Sequence, residues 1–161
     1  MKSIQRTCRV RMLTLYAICL LLYTTRLLAQ TDFKYHDAKN FLMVGRGFQD
    51  STVYHRLPYR YKQSVRPELW ELSRNSAGIA IRFATNSSTI AAKWKTGNVP
   101  HGPHVAKTLI KGVDLYGLHN GKWQFVGVGR PYNEHSQQWV LVKGMEKTMK
   151  EFMLYLPMYE T

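Results

Sequence analysis

The chain has little cysteine, little acidic charge and no apolar run long enough to cross a membrane. Both cysteines, Cys8 and Cys19, lie within the first 29 residues. The rest of the chain, 30–161, therefore has neither a disulfide framework nor a thiolate metal site, and it must fold around a hydrophobic core. This stretch is long enough for one domain.

The first 29 residues have the features of a signal peptide. Four basic side chains precede a mostly apolar run, 12–23, and Ala29 offers a small residue at a cut site before Gln30. A membrane span needs about 20 apolar residues, which is more than this run provides. We therefore predict export to the periplasm or the extracellular space and no stable membrane span. An uncleaved anchor is the alternative.

The excess of basic charge does not indicate a nucleic-acid partner. The chain has 23 Lys and Arg against 10 Asp and Glu. Five of the basic side chains belong to 1–29, so 18 against 10 leaves a formal charge of +8 on the remainder. Because these side chains are scattered rather than clustered, no phosphate-binding stripe is formed. Acidic glycans or an anionic cell surface are the remaining charged partners.

Short segments of alternating polarity predict an all-β fold. Ile79, Ile81 and Phe83 alternate with polar or small residues, and the turn at 86–88 predicts that this strand pairs with 90–94. Asn120-Gly121 favours a type I′ turn between strands 113–118 and 122–126.

Two further strands are predicted at 138–143 and 151–157, and one helical turn at 67–72, where Pro67 takes the first position. Many short strands separated by turns are typical of a β-sandwich or jelly roll of antiparallel strands. We predict one such domain, 30–161.

One motif indicates a family. Gly112–Tyr116 reads Gly-Val-Asp-Leu-Tyr, and Pro103-His104 precedes it across Val105–Lys111. Further matching segments follow the same order: Leu57-Pro58, Val65–Pro67, Trp70 with Leu72–Arg74, Ser76–Gly78 and Leu154–Pro157. From about Asp37 to Tyr159, the chain resembles the N-terminal β-sandwich domain of secreted SGNH/GDSL-type esterases.

The resemblance implies a partner and a parent activity. In the family, this domain precedes a catalytic domain that hydrolyses esters, plausibly acyl groups on carbohydrate, with a serine nucleophile. The family continues after the 154–157 strand with a turn and another strand, whereas this chain ends at Thr161. The sandwich is therefore expected to be truncated at its C-terminal strand, leaving the strand of Phe152, Leu154 and Leu156 without a neighbour.

The chain itself lacks the catalytic residues of the family. An SGNH hydrolase needs a Gly-Asp-Ser block and an Asp-x-x-His pair. The segment 47–51 imitates the first, but Gln49 stands in place of glycine, and no Asp-x-x-His occurs in the sequence. We predict no catalytic residue, and a turn at Asp50-Ser51.

Five residues are candidates for contact with substrate or with the catalytic domain. They lie in or beside the family's signature segments: Arg74, Asn75, Ser76, His104 and Asp114. Asn75 stands where the family usually has histidine. Asp114 should point away from the core, because its neighbours alternate inward, and Arg74 or Arg82 is the expected partner.

Other polar and aromatic residues receive structural interpretations. His101 and His104 could suggest a metal site, but the sequence provides no third ligand nearby, so no metal and no organic cofactor are implied. Most of the four tryptophans, Trp70, Trp94, Trp123 and Trp139, are predicted to lie in the core. If they are exposed instead, they could stack on sugars, and a free-standing carbohydrate-binding module is the alternative function.

Overall fold

The computed structural model describes residues 33–49, 54–97 and 103–159. The chain divides after Lys34 into two units, and every helix and strand below belongs to the second unit, Tyr35–Thr161. The predicted signal peptide, Asp50-Ser51 and His101 lie outside the described residues.

Short strands dominate the described residues. In chain order, the elements are β1 (Leu42–Val44), α1 (Pro67–Ser73), β2 (Ala80–Thr85), β3 (Ile90–Lys95), α2 (Lys107–Lys111), β4 (Val113–His119), β5 (Lys122–Gly129), β6 (Ser136–Val142) and β7 (Lys150–Tyr155). Two 3-10 turns, Ala38–Asn40 and Tyr59–Tyr61, precede α1. Within these residues, no helix is long and apolar enough to span a membrane.

The strands form two antiparallel sheets. The larger has the order β1-β2-β7-β4-β5, and the smaller consists of β3 and β6. The predicted all-β sandwich is confirmed. We call the face of the larger sheet that packs on β3 and β6 the inner face, and the opposite one the outer face.

Buried side chains from both sheets form the core. The larger sheet contributes Val113, Leu115 and Phe152, and the smaller contributes Ile90 and Leu141. Burying a large apolar side chain contributes about 1.5–3 kcal/mol, so this cluster is a principal source of the free energy of folding.

The Asn120-Gly121 hairpin forms as predicted. Both residues have positive φ angles, 50° and 73°, and they join β4 to β5 as a two-residue turn. The pairing of β4 with β5 shifts by one residue beside Leu115, where Val126 has no partner. This bulge lies next to Gly127.

The predicted pairing of the strand at 79–83 with the strand at 90–94 is wrong. β2 pairs with β1 and β7, whereas β3 pairs with β6 in the other sheet. The connection 86–89 therefore crosses from one sheet to the other instead of closing a hairpin. Turn residues mark a change of direction, but they do not decide whether the next strand remains in the same sheet.

The prediction that the strand of Phe152, Leu154 and Leu156 lacks a neighbour is also wrong. β7 pairs with β2 along one side and with β4 along the other. Phe152 and Leu154 do face the core, as predicted. The last strand in the described sequence is thus a central strand of the larger sheet.

Each of the two helices buries one large apolar side chain. α1 has Pro67 at its start, as predicted, and buries Trp70. α2 was not predicted, because its five residues are too few for a helical period to be recognised. It buries Ile110.

Three of the four tryptophans follow the prediction of a core position. Trp70 is buried, and Trp94 and Trp139 pack against the core cluster. Trp123 is the exception, because it lies on the outer face and 36% of it is exposed.

Candidate functional site

Ser76 is a buried structural residue. Its hydroxyl donates a 2.7 Å hydrogen bond to the carbonyl of Pro157, and its own carbonyl accepts from the amide of Ile79. The carbonyl of Ile79 in turn accepts from the amide of Leu156. The Ser-Ala-Gly signature segment therefore fixes residues 156–157 directly after β7.

Arg74 and Asn75 lie at the surface where α1 ends. The Arg74 guanidinium is 3.8 Å from the carboxylate of Glu71, and both side chains are largely exposed. Such an exposed pair contributes less than about 1 kcal/mol. The amide of Asn75 donates to the carbonyl of Leu72. Both side chains thus remain at a surface that another molecule could reach.

His55 lies beside this surface and was not singled out in the sequence. Burial, and secondly the positive charge of Arg74, lowers the pKa of the His55 imidazole. Its Nδ1 atom is buried and has no hydrogen-bond partner within the described part of the chain. The following residue is tied to α1, since the Arg56 amide donates to the carbonyl of Ser73. The sequence alone does not predict that His55 lies close to Arg74, because the fold brings these two segments together.

His104 is exposed and precedes α2. Two hydrogen bonds hold the C-terminal end of α2: Trp94 Nε1 donates to the carbonyl of Lys111 at 2.8 Å, and the amide of Tyr159 donates to the carbonyl of Ile110 at 3.4 Å. The Lys111 ammonium donates to the carbonyls of Gly97 and Glu134. The Pro-His segment is thereby attached to a fixed part of the fold.

Asp114 points to the outer face, as predicted from the alternation of β4. Its neighbours Val113 and Leu115 are buried in the core. Partial burial raises the pKa of the Asp114 carboxyl. Among the residues that the structure describes, no ion pair joins Asp114 to Arg74 or Arg82, the expected partners: Arg82 pairs with Glu151, and Arg74 with Glu71.

The segments that carry the five candidates converge on one end of the sandwich. Ser76 bonds to Pro157, the helix after His104 bonds to Tyr159, and Asp114 lies opposite Tyr155 in the pairing of β4 with β7. The structure thus brings Arg74–Ser76, the His104 segment and Asp114 to the residues 155–159. We call this region the signature end.

The described serines in this part of the fold act as donors to backbone carbonyls. Ser73 donates to Trp70, Ser64 to Tyr61 and Ser76 to Pro157. Among the described residues, no group of three or more His, Cys, Asp or Glu side chains could hold a metal ion.

A comparison with protein families identifies the domain. The family described as GxDLY, the N-terminus of SGNH-hydrolase-type esterases, matches residues 33–161. The chain belongs to this GxDLY family. The motif that names the family is Gly112–Tyr116, which leads from α2 into β4.

A solved structure has the same fold as this GxDLY domain. It is a Bacteroides ovatus protein described as a GDSL-like lipase, 38% identical, with a TM-score of 0.75. The similarity covers 79% of this chain and 37% of that chain. The GxDLY domain thus spans less than two thirds of this relative. No curated protein matches the chain.

A row of contacting rings lies on the outer face beside the signature end of the GxDLY domain and was not predicted from the sequence. The row consists of Tyr116, Phe125 and Tyr155. The spacing of Trp123 and Phe125 places both on one face of β5 and could have indicated this row. Aromatic residues at strand spacing were instead interpreted as core residues.

Proposed function

We propose that this chain is a non-catalytic domain of an exported ester hydrolase, in which it docks on the catalytic domain and shapes one wall of the substrate cleft. The substrate class we propose is acyl esters of carbohydrate. The hydrolysis itself would be performed by a serine nucleophile of the catalytic domain.

The convergence at the signature end is the observation that carries this proposal. Three separated signature segments contact residues 155–159. In the Bacteroides ovatus relative, the matched region is little more than a third of the chain, so a larger part of that protein lies outside it. Arg74 and His104 belong to two of these segments, and we propose that they meet both the catalytic domain and a substrate between the two domains.

Steady-state kinetics on a chimera would test the docking role. Residues 33–159 of this chain replace the matching region of the Bacteroides ovatus protein, and acetylated oligosaccharides are the substrates. His104→Ala and Arg74→Ala should raise KM several-fold while changing kcat little, because a wall of the cleft contributes binding rather than chemistry.

Two exposed residues of the β4–β5 hairpin, at the other end of β4 from Asp114, provide controls. His119→Ala removes an imidazole there, and Lys122→Ala removes a positive charge. If all four variants have the KM of the unmodified chimera, the proposed role in the cleft is wrong.

A free-standing carbohydrate-binding module is the second candidate. It is favoured by the exposed aromatic residues of the outer face, Trp123, Phe125 and Tyr155. Titration calorimetry of this chain with xylan, mannan and peptidoglycan fragments would distinguish the candidates. Saturable binding that is lost in Phe125→Ala would favour the module.

A further inference from the structure

The outer face of the larger sheet is largely apolar. The register aligns its side chains in rows across the strands. One row contains Val44, Ala80, Tyr155, Asp114 and Val128, and the next contains Leu42, Arg82, Met153, Tyr116 and Phe125. Trp123 continues the face beyond Phe125 and lies against the Arg82 guanidinium at 5.8 Å. An antiparallel sheet whose outer face meets water usually has mostly polar residues there, whereas this face has mostly apolar ones, with Arg82, Asp114 and Glu151 as its charged residues.

Several of these side chains are exposed in the domain by itself. Leu42 is 61% exposed, Phe125 58% and Tyr155 38%. Contiguous apolar surface of this kind marks an interaction site in soluble proteins. The charged groups on this face are few, and Arg82 and Glu151 already neutralise each other. Covering the outer face would therefore stabilise the protein by removing these apolar side chains from water.

The geometry of the rings favours a protein over a glycan as the occupant. Tyr116 meets both Phe125 and Tyr155 edge to face, with interplanar angles of 77° in each pair. Such rings do not form one flat platform on which a sugar could stack. Aliphatic and thioether side chains, Leu42 and Met153, complete the surface, and aromatic residues, methionine and arginine are the residues enriched in protein interfaces.

The outer face is continuous with the signature end. Tyr155 is the last residue of β7, and it shares a row with Asp114. Residues 156–159 leave β7 from this row and continue past Ser76 and Ile110. The outer face thus borders the segment 156–159, and the family to which the chain belongs is the N-terminal part of an esterase.

We propose that the catalytic domain of the hydrolase packs on the outer face, with Tyr116, Phe125 and Tyr155 at the centre of the interface. The inference rests on the proposed function and adds to it the surface that docks. The Arg82–Glu151 pair lies within this interface, and Asp114 lies at the side nearest the junction. An interface of this composition holds the two domains in one orientation, as a cleft between them requires.

Hydroxyl-radical footprinting with mass spectrometry would test the proposal. The chimera described above is compared with this chain by itself, and the oxidation rates of Leu42 and Phe125 are measured. Val140, on the far side of the smaller sheet, and Met149, at the opposite end of β7, serve as exposed controls. We expect the rates at Leu42 and Phe125 to fall several-fold in the chimera, and the rates at Val140 and Met149 to stay unchanged.

The opposite outcomes separate this inference from the proposed function. If X-ray scattering shows one compact body but Leu42 and Phe125 are oxidised as fast as in this chain, the docking surface lies elsewhere and the inference is overturned. If scattering shows two independently tumbling domains with every site equally oxidised, the docking role fails as well. If this chain alone is already protected at Leu42 and Phe125, and dilution removes the protection, the occupant is a second copy and the inference is overturned.

A substitution pair gives a second readout. Phe125→Ser should lower the melting temperature of the chimera by more than that of this chain, since the exposed ring becomes buried only in the interface. Val140→Ser should affect both proteins equally. Equal effects of Phe125→Ser on the two proteins would overturn the inference.

Discussion

Asp114 lies opposite Tyr155 where β4 pairs with β7. The acidic residue of the family motif is therefore placed on the outer face, beside the last residue of the central strand, while Val113 and Leu115 of the same motif are buried between the sheets. One short motif thus contributes to the core with two of its residues and to the surface with a third.

The pH dependence of stability should reveal the environment of Asp114. Burial raises the pKa of its carboxyl above the usual 3.8, so folding disfavours the ionised form. The resulting loss of stability is present at neutral pH and disappears as the pH falls below the pKa of the unfolded chain. Asp114→Asn should therefore raise the melting temperature at pH 7 and leave it unchanged near pH 3. Glu146→Gln, at an exposed loop position, is the control, and a lower melting temperature for Asp114→Asn at pH 7 would reveal a partner cation.

Removing the buried hydroxyl of Ser76 should destabilise the domain. Ser76→Ala leaves the Pro157 carbonyl without its 2.7 Å donor inside the protein, at a cost of about 1–3 kcal/mol. Ser64 also donates to a backbone carbonyl, but at an exposed position, so Ser64→Ala should change the free energy of unfolding by less than about 0.5 kcal/mol. Urea unfolding measures both values. Equal effects would contradict a structural role for Ser76.

Gly129 should not tolerate a side chain. A Cβ atom there would lie 2.6 Å from Val113 Cγ2 and 2.7 Å from Trp94 Cη2, where the two sheets approach closely. Gly129→Ala is expected to cost about 1–3 kcal/mol through overpacking. Gly47→Ala is the matched control, since nothing lies within 4 Å of the added atom. The denaturant concentration at the midpoint of unfolding is measured for both variants. An unchanged midpoint for Gly129→Ala would show that the sheets can separate locally.

This chain should have no esterase activity that depends on Ser51. The sequence provides neither a general base nor recognisable oxyanion donors beside that residue. Hydrolysis of p-nitrophenyl acetate by the chain should equal that of its Ser51→Ala variant. A turnover lost in Ser51→Ala would contradict the assignment of catalysis to another domain.

Export can be tested independently of activity. When the whole chain is expressed in a Gram-negative host, the product should be found outside the cytoplasm with its N-terminus at or within a few residues of Gln30. N-terminal sequencing and cell fractionation measure this. A membrane-bound product that begins at Met1 would support the uncleaved anchor.

Local sequence signals predicted the local features of the fold. The positive φ angles of Asn120 and Gly121 and the helix beginning at Pro67 follow from the chemistry of those residues. The inner positions of Ile81, Leu115 and Phe152 follow from the two-residue period of a strand.

Apart from the short helix α2, the errors concern relationships between distant segments. The sequence near 86–89 contains a turn, but whether the chain then crosses to the second sheet depends on the packing of the whole core. The partners of Arg82 and Asp114 likewise depend on which strands lie side by side. The outer face was missed because aromatic residues at strand spacing look the same whether they face a core or a partner.

The central place of β7 has a consequence for the order in which the domain is made. Without residues 150–155, the larger sheet consists of two separate pairs, β1 with β2 and β4 with β5, because only β7 is hydrogen-bonded to both. The sheet therefore cannot close until nearly all of the described sequence has been synthesised. Its pairing of β2 with β7 joins residues far apart in the chain, a topology that folds slowly. Until residues 150–155 have been synthesised, the nascent chain cannot join its two pairs of strands.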